Sequence, residues 1–309
     1  MNAVVEARNL TKRYKDVLAL DDVSVTLTAD RIYGLLGRNG AGKTTLMSII
    51  TAQSFASTGQ ALVFGEEAYE NDAVLRRVCF VRESQRYPDD FAARHAFKAA
   101  QLMFANWDQE FADRLVADFG LPLKRRIKKL SRGQLSAVGV IIGLAARAEL
   151  TFFDEPYLGL DAVARQLFYD HLLADFTDHP RTVVLSSHLI DEVANLLDHV
   201  IVLDQGKVLI DAEAEELRGS AATVVGTAAV VDGFTAGMAI LHRETLGSVA
   251  SVTVDQVLTA AQRIEAQSLR LELAPVPLQQ LVVRKTTGNS RPQPGLAKRA
   301  ELDAMEARQ

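Results

Sequence analysis

Eight residues constrain this chain more than any others: Gly37-Arg38-Asn39-Gly40-Ala41-Gly42-Lys43-Thr44. They follow an apolar run, Arg31 to Leu36, and open a stretch with helical pattern, Lys43 to Ala52. Strand, glycine-rich turn and helix are the context in which this spacing binds phosphate. The glycines let the backbone curl until successive N–H groups point inward. The helix N-terminus adds a dipole that favours anions. Lys43 supplies positive charge for β- and γ-phosphates, the Thr44 hydroxyl suits Mg²⁺, and Thr45 is placed to reach the α-phosphate.

A phosphate loop by itself specifies a nucleotide and no reaction. Leu150-Thr151-Phe152-Phe153-Asp154-Glu155-Pro156 adds hydrolysis, because it sets two acids at the end of an apolar strand. In doubly wound sheets ligands bind at the carboxyl ends of strands. Asp154 is suited to hold Mg²⁺ through its water shell, and Glu155 to polarise an attacking water as general base.

The rest of the pattern fits an α/β fold. Val4 to Ala7 and Val23 to Leu27 alternate like strands at a sheet edge, and Gln60 to Phe64, Leu75 to Val81, Thr182 to Ser186 and Val200 to Leu203 read as further strands. Val208 to Ile210 completes a hairpin through Asp204-Gln205-Gly206-Lys207. Ser131 to Arg147, Ala162 to Phe176 and Ile190 to Leu197 read as helices. Phe91 to Leu121 has helical period, with Phe97, Leu102, Met103, Trp107, Phe111, Leu115, Val116 and Phe119 on one stripe expected to pack in the core. Apolar strands alternating with helices imply a largely parallel sheet covered on both faces. Beyond Gly219 the pattern changes: Ala222 to Val231 and Val249 to Val254 read as strands and Gln256 to Leu273 as a helix, a small α+β unit without catalytic signature.

Composition narrows the function classes. The net charge is −5 over 309 residues, which gives no global electrostatic reason to expect nucleic acid. The single cysteine, Cys79, excludes a disulfide within the chain and is read as a buried structural thiol, in keeping with a reducing compartment. Met1 to Leu10 lacks the pattern of a signal peptide. The longest apolar run, Leu135 to Ala146, falls short of the about 20 residues that span a bilayer, so any membrane role requires docking on another chain.

Five ordered motifs carry a family resemblance. Leu130-Ser131-Arg132-Gly133-Gln134 resembles the signature of ABC ATPases, usually Leu-Ser-Gly-Gly-Gln, and precedes the acidic strand by the family's distance. Tyr157-Leu158-Gly159-Leu160-Asp161 is similar to the D-loop, and Leu185-Ser186-Ser187-His188 to the strand end that carries the switch histidine. Tyr14 stands where the family stacks an aromatic ring on adenine; a surface aromatic is the alternative. The resemblance covers about Val4 to Leu217. It implies a P-loop, RecA-like ABC ATPase core over residues 1–218, with an antiparallel β edge and a helical subdomain at about 89–147. An accessory α+β region at 219–285 and a disordered tail at 286–309 complete the expectation.

The resemblance also implies roles. ATP and Mg²⁺ are the cofactors, and two ATPase subunits pair head to tail as a homodimer or a heterodimer of paralogues. Ser131, Gly133 and Gln134 would then face the nucleotide of the opposite subunit, and Asp161 would bridge the two. His188 would contact the γ-phosphate and position water beside Glu155. Separate integral-membrane permease subunits would hold the ATPase at the cytoplasmic face of the cell membrane, in the manner of bacterial ABC-2-type exporters. The other reading is a non-transport ABC ATPase acting in regulation, translation or chromosome maintenance.

Three departures from the family pattern stand out. Arg132 replaces the first signature glycine, and the basic run Lys124 to Lys129, which reads as a solvated face, lies just before it. Tyr157 stands where many relatives carry Thr or Ser and is expected to leave the acids undisturbed. The family's glutamine loop, which reaches the metal, falls at Glu83 or Gln85.

Overall fold

The computed structural model describes residues 2–82 and 85–287. The chain divides into two units, one ending at Glu215 and one beginning at Glu216.

The first unit is built on two sheets. β1 (Ala3–Tyr14), β2 (Val17–Thr28) and β4 (Thr58–Val63) form an antiparallel sheet of order β2-β1-β4. β3 (Ile32–Leu36), β5 (Val78–Arg82), β6 (Leu150–Asp154), β7 (Thr182–Ser187), β8 (His199–Asp204) and β9 (Lys207–Glu213) form the second, ordered β5-β6-β7-β3-β8-β9. Its pairings are parallel except that of β8 with β9. β3, β6 and β7 are buried at every residue. Their predominantly apolar, fully buried sequences are what a parallel strand covered on both faces requires. Leu10, Leu20, Leu35, Met47 and Phe152 belong to one apolar cluster shared by the two sheets.

Helices follow the strands. α1 (Lys43–Ile50) leaves the phosphate loop, and the short α2 (Asp72–Leu75) precedes β5. Between β5 and β6 lie α3 (Ala93–Met103), α4 (Gln109–Asp118) and α5 (Arg132–Ala145). α6 (Ala162–Asp178) and α7 (Ile190–Val193) flank β7. The single helical period expected across Phe91 to Leu121 is two helices, because the Asp108 carboxylate accepts the Phe111 N–H and starts α4 anew. Phe97, Phe111 and Leu115 pack in the core as expected. Leu102 and Met103 do not: they are 76% and 63% exposed at the end of α3.

α8 (Ala214–Gly219) runs across the division between the units. The second unit holds β10 (Ala222–Thr227), α9 (Ala228–Phe234), β11 (Ile240–Leu246), β12 (Val249–Val254), α10 (Ala260–Ser268), β13 (Glu272–Pro275) and α11 (Leu278–Thr287). Its sheet is antiparallel, of order β11-β12-β10-β13, over a core that includes Val224, Val231, Phe234 and Val252. The expected strand Ala222 to Val231 thus turns into helix at Ala228, and the expected helix Gln256 to Leu273 ends early and gives way to β13. The tail expected from Thr286 lies outside the described residues beyond Thr287. No helix among the described residues is long and apolar enough to cross a membrane.

Candidate nucleotide site

The end of β3 delivers the chain into the phosphate loop. Gly42, N-cap of α1, has φ 108°, and a Cβ there would lie 2.6 Å from the Ala19 carbonyl oxygen. Only glycine meets both demands without strain. Lys43, 6% exposed, folds back so that its Nζ donates to the Gly37 carbonyl at 2.8 Å and the Arg38 carbonyl at 3.3 Å.

β6 and β7 bring the acids to this loop. The parallel register sets Asp154 beside Ser186. Thr44 donates its hydroxyl to Asp154 Oδ2 and Ser186 donates to Oδ1, each at 2.7 Å. Ser186 Oγ also accepts the Glu155 N–H at 3.0 Å. Glu155 takes a left-handed backbone, φ 51°, a conformation uncommon outside glycine. Its Oε1 stands 3.4 Å from Lys43 Nζ, and its Oε2 lies 2.6 Å from His188 Nδ1.

Tyr157 joins this group. Its ring is buried, and its hydroxyl donates to Glu155 Oε2. The Tyr157 hydroxyl oxygen in turn accepts the His188 N–H and the Ser187 hydroxyl, both at 3.1 Å. Burial first, and then the bond to Glu155, push the phenol above its ordinary range, so it keeps its proton as a donor. The expectation that Tyr157 leaves the acids undisturbed is therefore wrong: a Tyr side chain is long enough to reach back to the carboxylate two residues earlier.

A cleft of about 690 Å³ opens on these groups. Tyr14, Asn39, Gly40, Ala41, Gly42, Lys43, Thr44, Thr45, Asp154, Glu155 and His188 all line it. Tyr14 is 45% exposed, with Lys12 Nζ 4.7 Å from its ring centre. Gly37 enters through its carbonyl on Lys43, and Arg38 lines an adjoining pocket with Asp204 and Gln205.

Other residues singled out in the sequence lie elsewhere. Ser131, Gly133, Gln134 and Asp161 are not among the residues lining this cleft. Ser131 and Gln134 form a reciprocal cap on α5, Ser131 Oγ accepting the Gln134 N–H and Gln134 Oε1 the Ser131 N–H, both at 3.2 Å. Asp161 caps α6 by accepting the Ala164 N–H at 2.8 Å. A Cβ on Gly133 would come within 2.6 Å of the Gly159 carbonyl oxygen, so the signature glycine is also what lets α5 approach the D-loop. Gln85 donates its N–H to the Arg82 carbonyl at 3.2 Å and does not line the cleft; Glu83 lies outside the described residues. Sequence reading gave no site role to Ser186, Ser187 or Tyr157, whose contacts depend on strand register and side-chain reach rather than on any motif.

The fold and cleft define a P-loop nucleotide-binding protein. The family model for the ABC transporter matches residues 20–158. The doxorubicin resistance ATP-binding protein DrrA of Mycobacterium tuberculosis is 30% identical over 226 residues, 71% of this chain and 67% of its own length. The bacitracin transport ATP-binding protein BcrA of Bacillus licheniformis is 29% identical over 71% of this chain and 72% of its own. Among solved structures, an ATP-binding subunit of an ABC transporter superposes with TM-score 0.63 at 20% identity, covering 70% of this chain and 92% of that one. This chain belongs to the ATP-binding, ATP-hydrolysing subunits of ABC transporters.

Proposed function

We propose that this chain hydrolyses ATP as one half of a head-to-tail dimer, with a second copy or a paralogue, and drives outward transport through separate permease subunits at the cytoplasmic face of the membrane. The observation that carries the chemistry is the meeting of Lys43, Glu155 and His188 in one cleft beside the Thr44–Asp154 pair.

Thr44 and Asp154 offer oxygen donors only, which suits a hard cation. Bound there, Mg²⁺ would neutralise charge on the β- and γ-phosphates. The loop N–H groups and Lys43 hold the phosphates, and the exposed ring of Tyr14 offers adenine a stacking face. Glu155 takes a proton from water while the water oxygen bonds to the γ-phosphorus. The bond from that phosphorus to the β–γ bridging oxygen breaks, and ADP and phosphate leave. His188 orients the water and the transferring group.

Ser131, Gly133, Gln134 and Asp161 stand apart from the chain's own cleft, which supports their serving the nucleotide of the partner subunit. Gln85, or Glu83, would then couple the metal site to the permease. Doxorubicin resistance and bacitracin transport in the names of relatives support the outward direction.

Glu155→Gln tests the assignment. It removes the base and keeps the shape, so ATP still binds while turnover falls about 10²- to 10⁴-fold. Size-exclusion chromatography is expected to find an ATP-dependent dimer of this variant. Rapid steady-state hydrolysis by Glu155→Gln would refute the base assignment.

A further inference from the structure

Glu155 has a lopsided set of partners. Oε2 is held by the Tyr157 hydroxyl and by His188 Nδ1. Oε1 is buried, makes no hydrogen bond among the described residues, and lies 3.4 Å from Lys43 Nζ. The Tyr157 hydroxyl is itself fixed, since both of its lone-pair sites are used by the Ser187 hydroxyl and the His188 N–H. The phenol ring is buried and has only two torsions to set, whereas a glutamate has three.

We propose that Tyr157 is a positioning residue for ATP hydrolysis: seated on Ser187 and the His188 backbone, it clamps one carboxylate oxygen of Glu155 so that the other faces the phosphate end of Lys43. A base held at one oxygen by a buried, fixed phenol loses less conformational entropy when it is ordered for the chemical step. The clamp acts on the same side chain as His188, the tyrosine following the end of β6 and the histidine the end of the parallel β7. The proposal rests on Glu155 as the general base.

Kinetics on the full chain with Mg-ATP test it, using Tyr157→Phe, Glu155→Gln and the double variant. Tyr157→Phe is expected to lower kcat about tenfold and leave KM for ATP within about twofold, because the hydroxyl meets the base and not the nucleotide. In the Glu155→Gln background the same change is expected to have no further effect on single-turnover hydrolysis, since the carboxylate it positions is gone. A Tyr157→Phe kcat within twofold of wild type overturns the proposal while leaving Glu155 as base. An equal loss in both backgrounds also overturns it, marking a merely structural contact. Normal turnover by Glu155→Gln removes the base assignment and the clamp together. Should Tyr157→Phe fail to fold, Ser187→Ala keeps ring and hydroxyl but removes one donor that seats them. A fall in kcat at constant KM then supports the clamp, and a wild-type kcat overturns it.

Discussion

Lys43 shows what a buried charge needs. Its Nζ is nearly out of reach of water, and two loop carbonyls and the Glu155 carboxylate take the place of solvent. These are the groups a triphosphate would compete with or join, so the ammonium is held where the proposed phosphate site would receive the anion. A hydrogen bond to a charged group contributes about 1.5–3 kcal/mol, or roughly ten- to a hundredfold in affinity. Lys43→Ala is expected to weaken ATP binding by that factor in a fluorescent-nucleotide titration; an unchanged affinity would remove Lys43 from the phosphate cradle. Lys43 was legible because the glycine spacing around it admits few other uses. Tyr157 was not. Its identity departs from the family pattern, but the sequence does not say that its hydroxyl turns back onto Glu155. That follows from the left-handed turn at Glu155 and from the neighbouring β7, which presents Ser187 and His188 to the same oxygen.

Elements were readable where burial is uniform or strictly periodic. β3, β6 and β7 are short, mostly apolar segments that end in turn, acidic or serine residues, so their place in a parallel sheet could be inferred. β1 and β2 were seen only in part. Each is twelve residues long, but register shifts at Ala7/Leu10 and Leu10/Lys12 break the alternation that marks a strand. α9 was mistaken for strand because Ala228 to Val231 is apolar without clear period, and β11 was missed because most of its residues face solvent. The β8–β9 hairpin, which was legible, carries a titratable contact that was not. His199 Nε2 lies 2.6 Å from Asp211 Oδ1, and its Nδ1 3.6 Å from Glu213 Oε1, which also pairs with Arg31. The bond to Asp211 raises the imidazole above its usual range, against the opposing effect of burial. A histidine whose folded value is raised contributes stability that is fully present below its unfolded value of about pH 6.5 and is lost as pH rises through the folded one. The thermal midpoint of the wild type is therefore expected to fall over that interval more steeply than that of His199→Gln. Parallel curves for the two proteins would show that the pair adds nothing.

At the scale of the whole molecule, the first unit contains every group proposed for the chemistry, and the proposed dimer would complete the pocket from a second chain. Its own cleft holds the loop, the acids, the histidine and Tyr14, while the Ser131 turn is spent on capping α5. A cap and a phosphate contact are compatible, because the N-terminus of a helix attracts anions. They can be separated by charge. Aspartate caps a helix about as well as serine, so Ser131→Asp is expected to keep the fold and its melting temperature. It also sets a negative group where the dimer reading puts the γ-phosphate of the partner's nucleotide, and like charges at close range oppose assembly. In the Glu155→Gln background, Ser131→Asp should therefore abolish the ATP-dependent dimer while a dilute monomer still binds ATP as tightly as its parent. Dimerisation that persists unchanged would place Ser131 away from any nucleotide. Loss of affinity in the monomer itself would mean that the turn serves its own cleft, and the two-chain sandwich would have to be abandoned.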